Sequence, residues 1–295
     1  PLPVYCEKTV QIGVIAPNGV DNYAAIISIA NDDITEYMAS KGLEYRFTYI
    51  IEDAQGNAAL HLEHVQKFRS MGINLLIGGG SSPQAQASLS YVNNNEMLLF
   101  SPSSNIVGLS IPNDNLFRLS LLERWYILAE ADAMWSWGID AAIVLYPNTL
   151  ADYYDQFVDD FTAKGGKAIH GHDYEDGTSE FHDIVSGVET DATELADEFG
   201  PEKVGLLLLS NMQDLQSIIR VAIDLPTIYN LKWFSFEGRR ELQNIIDTLP
   251  SEAEHLKLFS VEQHILDTSK AKDIEDRFVS LINMPFTIYT ANLYD

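Results

Sequence analysis

At 295 residues the chain is long enough for two compact domains rather than one oversized core. With 46% hydrophobic and 21% charged residues its composition is that of a globular protein and excludes a disordered chain. Forty-three acidic residues against 18 basic ones give a formal charge of −25, a surface that repels phosphate backbones and anionic headgroups and so argues against nucleic acid or a membrane surface as partner.

Pro1 opens no visible leader peptide, which leaves a cytosolic protein or a mature form whose leader was removed. Cys6 is alone, which excludes an internal disulfide and a cysteine metal cluster. It reads as a lipid attachment point or as an unpaired thiol, and Pro3-Val4-Tyr5 before it is a poor lipidation sequence. The first apolar run, Val10 to Ile15, reads as a strand closed by the turn Pro17-Asn18-Gly19. A helix follows with Ala24, Ile27, Ile34 and Met38 on one face, ending before Gly42. Tyr45 to Ile51 is the next strand, Ala58 to Met71 a helix, Ile73 to Ile77 a third strand and Met97 to Phe100 a fourth. The pattern restarts after an aromatic-rich helix, Leu121 to Trp137. Ala141 to Tyr146 is a buried strand and Thr149 to Lys164 a helix. Lys167 to Asp173, Val204 to Ser210 and Leu231 to Phe236 are further strands. The longest apolar runs, such as Val204 to Leu209, are far too short to span a bilayer. Phe181 to Phe199 is an acidic helix whose run Glu189 to Glu194 reads as a solvated face. Strands alternating with helices predict parallel strands joined by crossover helices, hence doubly wound α/β sheets.

Enzyme signatures are missing. Gly78-Gly79-Gly80-Ser81-Ser82 follows a strand but lacks the Gly-Lys-Ser/Thr ending of a nucleotide loop. The first strand-to-helix turn, Gly13 to Asn22, lacks Gly-x-Gly-x-x-Gly, and there is no Gly-x-Ser-x-Gly elbow. His61 and His64, three apart on a helix, read as part of a solvent-facing amphipathic helix rather than a metal pair. His170 and His172 alternate on a strand and share a face. No metal or cofactor is expected.

Binding chemistry concentrates at strand ends. Ser82 followed by Pro83 reads as a helix start, with the serine as N-cap. Glycines before it allow close approach to the backbone, and free N–H groups at a helix start suit a carboxylate. Ordinary capping accounts for the same residues. Ser101-Pro102-Ser103-Ser104-Asn105 ends the neighbouring strand in more small polar groups, at the strand edge where open α/β sheets hold ligands. Glu237, after the apolar strand Trp233 to Phe236, reads either as a partner for an ammonium group or as a helix-start acid.

These segments, with Gln11 to Pro17, Ile77 to Ser82, Phe100 to Ser104, Phe234 to Gly238 and Tyr289 to Asp295, resemble the branched-chain amino-acid-binding family of periplasmic-type solute receptors. The resemblance covers essentially the whole chain. It implies the type I periplasmic binding protein fold: two doubly wound parallel-sheet lobes joined by a multi-strand hinge, with residues 1–120 and 262–295 in the first lobe and 121–261 in the second. The C-terminal part of that fold is absent from this sequence.

By the resemblance, Ser82 donates to a ligand carboxylate with Ser81 contributing backbone, and Ser103 and Asn105 contact the ligand's ammonium and carboxylate. Asn105 stands where a threonine or serine is usual. Glu237 of the second lobe pairs with the ammonium. Tyr146, Tyr153 and Ser210 are the further second-lobe candidates, and Tyr23 lines the cleft mouth. The implied protein is no enzyme. It is an extracellular or periplasmic receptor, tethered or free, that closes on a small amino-acid-like ligand in an interlobe cleft and delivers it to the membrane permease of an ABC transporter. A ligand-sensing ectodomain and a structural surface protein that kept the fold are the alternatives, and a homo-oligomer formed through the shortened C-terminal region is a further expectation.

Overall fold

The computed structural model of the chain describes residues 8–236, 239–261, 265 and 267–295. The chain divides into two compact units, Pro1–Leu122 with Gln263–Asp295, and Glu123–Glu262. The first unit runs β1 (Lys8–Ala16), α1 (Asp21–Ser40), β2 (Tyr45–Asp53), α2 (Ala58–Ser70), β3 (Leu75–Ile77), α3 (Ser82–Asn94), β4 (Leu98–Ser101) and β5 (Leu116–Arg118). The second runs α4 (Glu123–Ser136), β6 (Ala141–Pro147), α5 (Ala151–Lys164), β7 (Ala168–Tyr174), α6 (His182–Phe199), β8 (Val204–Leu208), α7 (Met212–Ala222), α8 (Pro226–Tyr229), β9 (Lys232–Ser235), α9 (Arg239–Thr248), α10 (Pro250–Leu256) and β10 (Phe259–Ser260). The chain then returns to the first unit with α11 (Ser269–Ile282) and α12 (Ile288–Tyr294).

Each unit holds one five-stranded sheet, ordered β2-β1-β3-β4-β5 in the first and β10-β9-β8-β6-β7 in the second. Every ladder is parallel, as crossover helices require. Read from its other edge, the second sheet is wound in the same sequence as the first. In each the strand order reverses beside the unit's first strand, between β1 and β3 and between β6 and β8, and such a reversal is where open α/β sheets bind ligands.

Both faces of each sheet are covered, which is why β6 and β8 read as unbroken apolar runs. In the first unit Ile15, Leu76 and Leu99 face Val65, Phe68 and Val92 on one side. Val14, on the opposite side, faces Ile26, Ile29, Phe278 and Leu293. In the second, Ile143, Leu145, Leu206 and Leu208 pack against Val185, Val188 and Ile219. Ala142, Val144, Leu207 and Phe234 pack against Met134, Phe157 and Phe161. Full burial of each large side chain contributes about 1.5–3 kcal/mol.

The C-terminal helices are fastened to α1 by charge as well as by packing. Asp33 accepts hydrogen bonds from Lys270, from Arg277 at 2.7 Å and from the Tyr294 hydroxyl. Burial acts to raise its carboxyl, but the bonds from Lys270, Tyr294 and Arg277 prevail and hold it well below the usual carboxylate range.

Two predicted faces need correction. In α1 the buried side is Ala25, Ile26, Ile27, Ile29 and Ala30, and Ala24 is exposed. A near-continuous apolar run does not mark one stripe. Glu189 is not simply solvated: its carboxylate accepts from the Thr227 and Ile228 amides, at 2.9 and 2.8 Å, and so holds the first turn of α8.

Candidate functional site

In the first unit two strand-end loops are sewn into one. The chain leaves β3 through Gly78 to Ser81 and leaves β4 through Pro102 to Asn105. Ser101 Oγ donates to the Gly79 carbonyl at 2.7 Å and accepts from the Ser104 amide at 3.0 Å. Ser103 Oγ donates to the Gly80 carbonyl at 2.8 Å. Ser82 Oγ accepts from the Asn105 and Ile106 amides at 3.3 and 3.5 Å. Asn292 of α12 anchors the second loop through the Pro102 carbonyl at 2.9 Å.

This geometry corrects the expected helix start by one residue. Ser81, in extended conformation, is the N-cap of α3, and its side chain makes no capping bond. Ser82 is already helical, and its hydroxyl turns to the Asn105 and Ile106 amides of the second loop. Among the described residues the amides of Gly80, Ser81, Ser82 and Gln84 have no protein acceptor, as the open end of a helix dictates. The Ser104 hydroxyl and Gln84 Oε1 are buried without a protein partner. Buried polar atoms are nearly always bonded, so the loop pair carries unmet hydrogen-bonding capacity. Gly79 has φ +64, a conformation L side chains rarely adopt, and a Cβ there would meet Ala85 at 2.9 Å.

Ser81, Ser82, Ser103 and Asn105 are therefore brought together by direct bonds or by adjacency. Tyr23 is on the first turn of α1, half-buried against the cluster of Val14 and Ile26, and burial pushes its phenol upward.

In the second unit the candidates fall into separate groups. Tyr146, near the end of β6, stacks on Tyr154 at 4.6 Å and 9°. Tyr154 in turn lies against Gly171 of β7, where a Cβ would come within 2.5 Å of its ring. Tyr153 donates its hydroxyl to Glu123, and its ring stands 6.2 Å from Phe236. Tyr126 meets Phe236 edge-on, also at 6.2 Å. Burial pushes the Glu123 carboxyl upward. Ser210, just past β8, is 3% exposed and its hydroxyl has no protein partner. Glu237 and Cys6 lie outside the described residues.

Glu123 and Tyr126, which contact Tyr153 and Phe236, were not singled out in the sequence, where they sit unmarked in an aromatic-rich helix. His61 was misread. It has no exposed surface and bonds Ser88 and Gly79, so it is not on a solvent-facing side. His170 and His172 do share a face, and both bond Asp191 Oδ2, at 2.8 and 2.9 Å. Among the described residues no group of three or more ligating side chains could hold a metal ion, and no helix is long and apolar enough to cross a membrane.

Paired parallel sheets of identical winding, with polar loops at the reversal point, define the class of type I periplasmic binding folds. The family model described as periplasmic binding protein matches residues 9–193, and the chain belongs to that family of non-enzymatic, solute-binding proteins. An ABC transporter substrate-binding protein from Desulfitobacterium hafniense, solved in complex with Leu, has the same fold at 17% identity and TM-score 0.70, over 98% of this chain and 81% of that one. A solute-binding protein from R. palustris, solved in complex with 4-hydroxybenzoate, is similar at 14% identity and TM-score 0.64, over 98% and 78%. An uncharacterised protein of Methanocaldococcus jannaschii is 20% identical over 98% of this chain and 71% of its own length.

Proposed function

We propose that this chain captures a small amino-acid-like carboxylate outside the cytoplasm, free or tethered to the cell surface, and delivers it to the permease of an ABC transporter. The observation that carries the reading is the fused loop pair at the β1/β3 reversal. The unbonded amides of Gly80, Ser81, Ser82 and Gln84 gather there at the positive end of α3, which attracts a carboxylate. Ser82 Oγ accepts from two amides and so keeps its own proton to donate to the ligand. Leucine and 4-hydroxybenzoate, held by two of the similar proteins, share a carboxylate and little else. In this reading Ser103 and Asn105 complete the carboxylate end. Glu237 takes the ammonium, and Tyr146, Tyr153 and Ser210 bound the side chain.

The test is a thermal-shift screen against amino acids, aromatic carboxylates, small amides and urea, followed by titration calorimetry. A ligand binding only the folded state adds about 2.7 kcal/mol of stability at a hundred times its Kd. Free carboxylates are expected to raise Tm and the matching carboxamides to leave it unmoved; a flat screen on folded, ligand-free protein overturns the reading. Glu237→Ala is expected to weaken amino-acid binding by about 3–5 kcal/mol through the charge left unpaired. Unchanged affinity removes Glu237 from the site.

A further inference from the structure

His61 projects from α2 toward the Gly78–Ser82 loop, and its hydrogen bonds fix its chemistry. The Gly79 amide, which can only donate, bonds its Nε2 at 2.7 Å. That nitrogen therefore carries no proton, and the neutral ring holds its hydrogen on Nδ1, where it donates to Ser88 Oγ at 2.7 Å. Ser88 lies on α3 and is fully buried. One imidazole thus connects α2, the loop and the helix whose first turn holds the unbonded amides. The fit is tight: a Cβ at Gly78 would sit 2.9 Å from Nε2. Burial, with His64 adding to it, pushes the imidazole down to about 4, so the ring stays neutral at physiological pH.

Loop amides not claimed by the protein are the ones open to a ligand. His61 claims Gly79, Ser101 and Ser103 claim the Gly79 and Gly80 carbonyls, and the open amides begin at Gly80. Resting on the carboxylate-binding reading above, we infer that His61 is the positioning residue of this loop: it takes the Gly79 amide and thereby holds the amides of Gly80, Ser81 and Ser82 in the arrangement that receives the ligand. It touches no ligand itself.

Two substitutions separate this role from simple core filling. In His61→Gln the side-chain amide reaches the place of Nε2 and offers Gly79 an acceptor. In His61→Asn it reaches only the place of Nδ1, keeping Ser88 and losing Gly79. Both are made in the full chain, checked for folding by thermal unfolding, and compared with wild type by 15N-resolved amide exchange without ligand and by L-leucine titration.

Expected are an unprotonated His61 Nε2 in the imidazole nitrogen spectrum and a slowly exchanging Gly79 amide, retained in the Gln variant and about tenfold faster in the Asn variant. Leucine affinity should fall about tenfold in the Asn variant and stay within about threefold in the Gln variant. A protonated Nε2, a Gly79 amide equally slow in the Asn variant, or equal leucine affinity in wild type and the Asn variant overturns the inference. If the Asn variant does not fold, the wild-type imidazole spectrum and Gly79 protection in the Gln variant still decide it. Wild type that binds neither leucine nor any other screened carboxylate defeats the proposed function instead, and the imidazole and Gly79 signals continue to decide the role of His61.

Discussion

Glu130 on α4 has no exposed surface; one of its carboxylate oxygens accepts from the Val261 amide at 3.1 Å, and the other has no protein partner. Burial outweighs that one bond and pushes the carboxyl up to about 8, whereas in an unfolded chain it titrates near about 4.3. Between these values the folded state keeps a proton that the unfolded state has released. The contribution to stability is therefore complete below about pH 4.3 and lost as pH rises toward 8, by up to about 1.4 kcal/mol per pH unit. Asp33 has the opposite sign, since its hydrogen-bonded cations keep it ionised. Glu130→Gln keeps an acceptor for Val261 and removes the titration. Urea unfolding at pH 5 and pH 8 is expected to show the variant gaining on wild type as pH rises. An identical pH dependence would mean that Glu130 ionises freely within the fold.

Among the elements, Gly171 shows how one position of a strand sets an aromatic stack. Its missing side chain lets the Tyr154 ring lie against β7, where Tyr146 stacks on it. Gly171→Ala forces the ring away, with an expected cost of about 1–3 kcal/mol from overpacking and a changed near-ultraviolet circular dichroism from the displaced tyrosines. A wild-type unfolding midpoint and spectrum would show that the ring yields without cost. The long elements were legible because β6 and β8 are buried on both faces and α5 stops at Gly165, left-handed at φ +111. Three-residue β5 and two-residue β10 are too short to show a period. Alternation placed His170 and His172 on one face, but their partner Asp191 comes from α6, and no local pattern announces that contact. The same limit hid His61. Spacing placed it on a helix, while its burial depends on Gly79 and Ser88, 18 and 27 residues further on. The loop serines were readable because glycine, serine and proline clustered at a strand end neither continue the strand nor fill a core. Of the residues around Glu123 only Tyr153 was singled out, since core and site use the same aromatic side chains.

At the scale of the whole molecule, the winding is repeated but the continuity is not. The second unit is one uninterrupted span, and the first is two spans with the whole of the second between them. Asp33 and its partners Lys270, Arg277 and Tyr294 are 237, 244 and 261 residues apart. On the ribosome, then, Val14, Ile26 and Ile29 emerge before the second unit, while Phe278 and Leu293, which cover them, follow it. The second unit meets no such delay and is complete before the returning helices are made. Residues 123–262 made alone are expected to melt cooperatively, and residues 1–122 alone to bind hydrophobic dye until a peptide of residues 267–295 is supplied in trans. A compact, dye-free 1–122 fragment would show that the returning helices are dispensable. Otherwise the nascent first unit must be shielded until the whole second unit and the returning helices have been made, and a holding chaperone becomes part of how this protein is made.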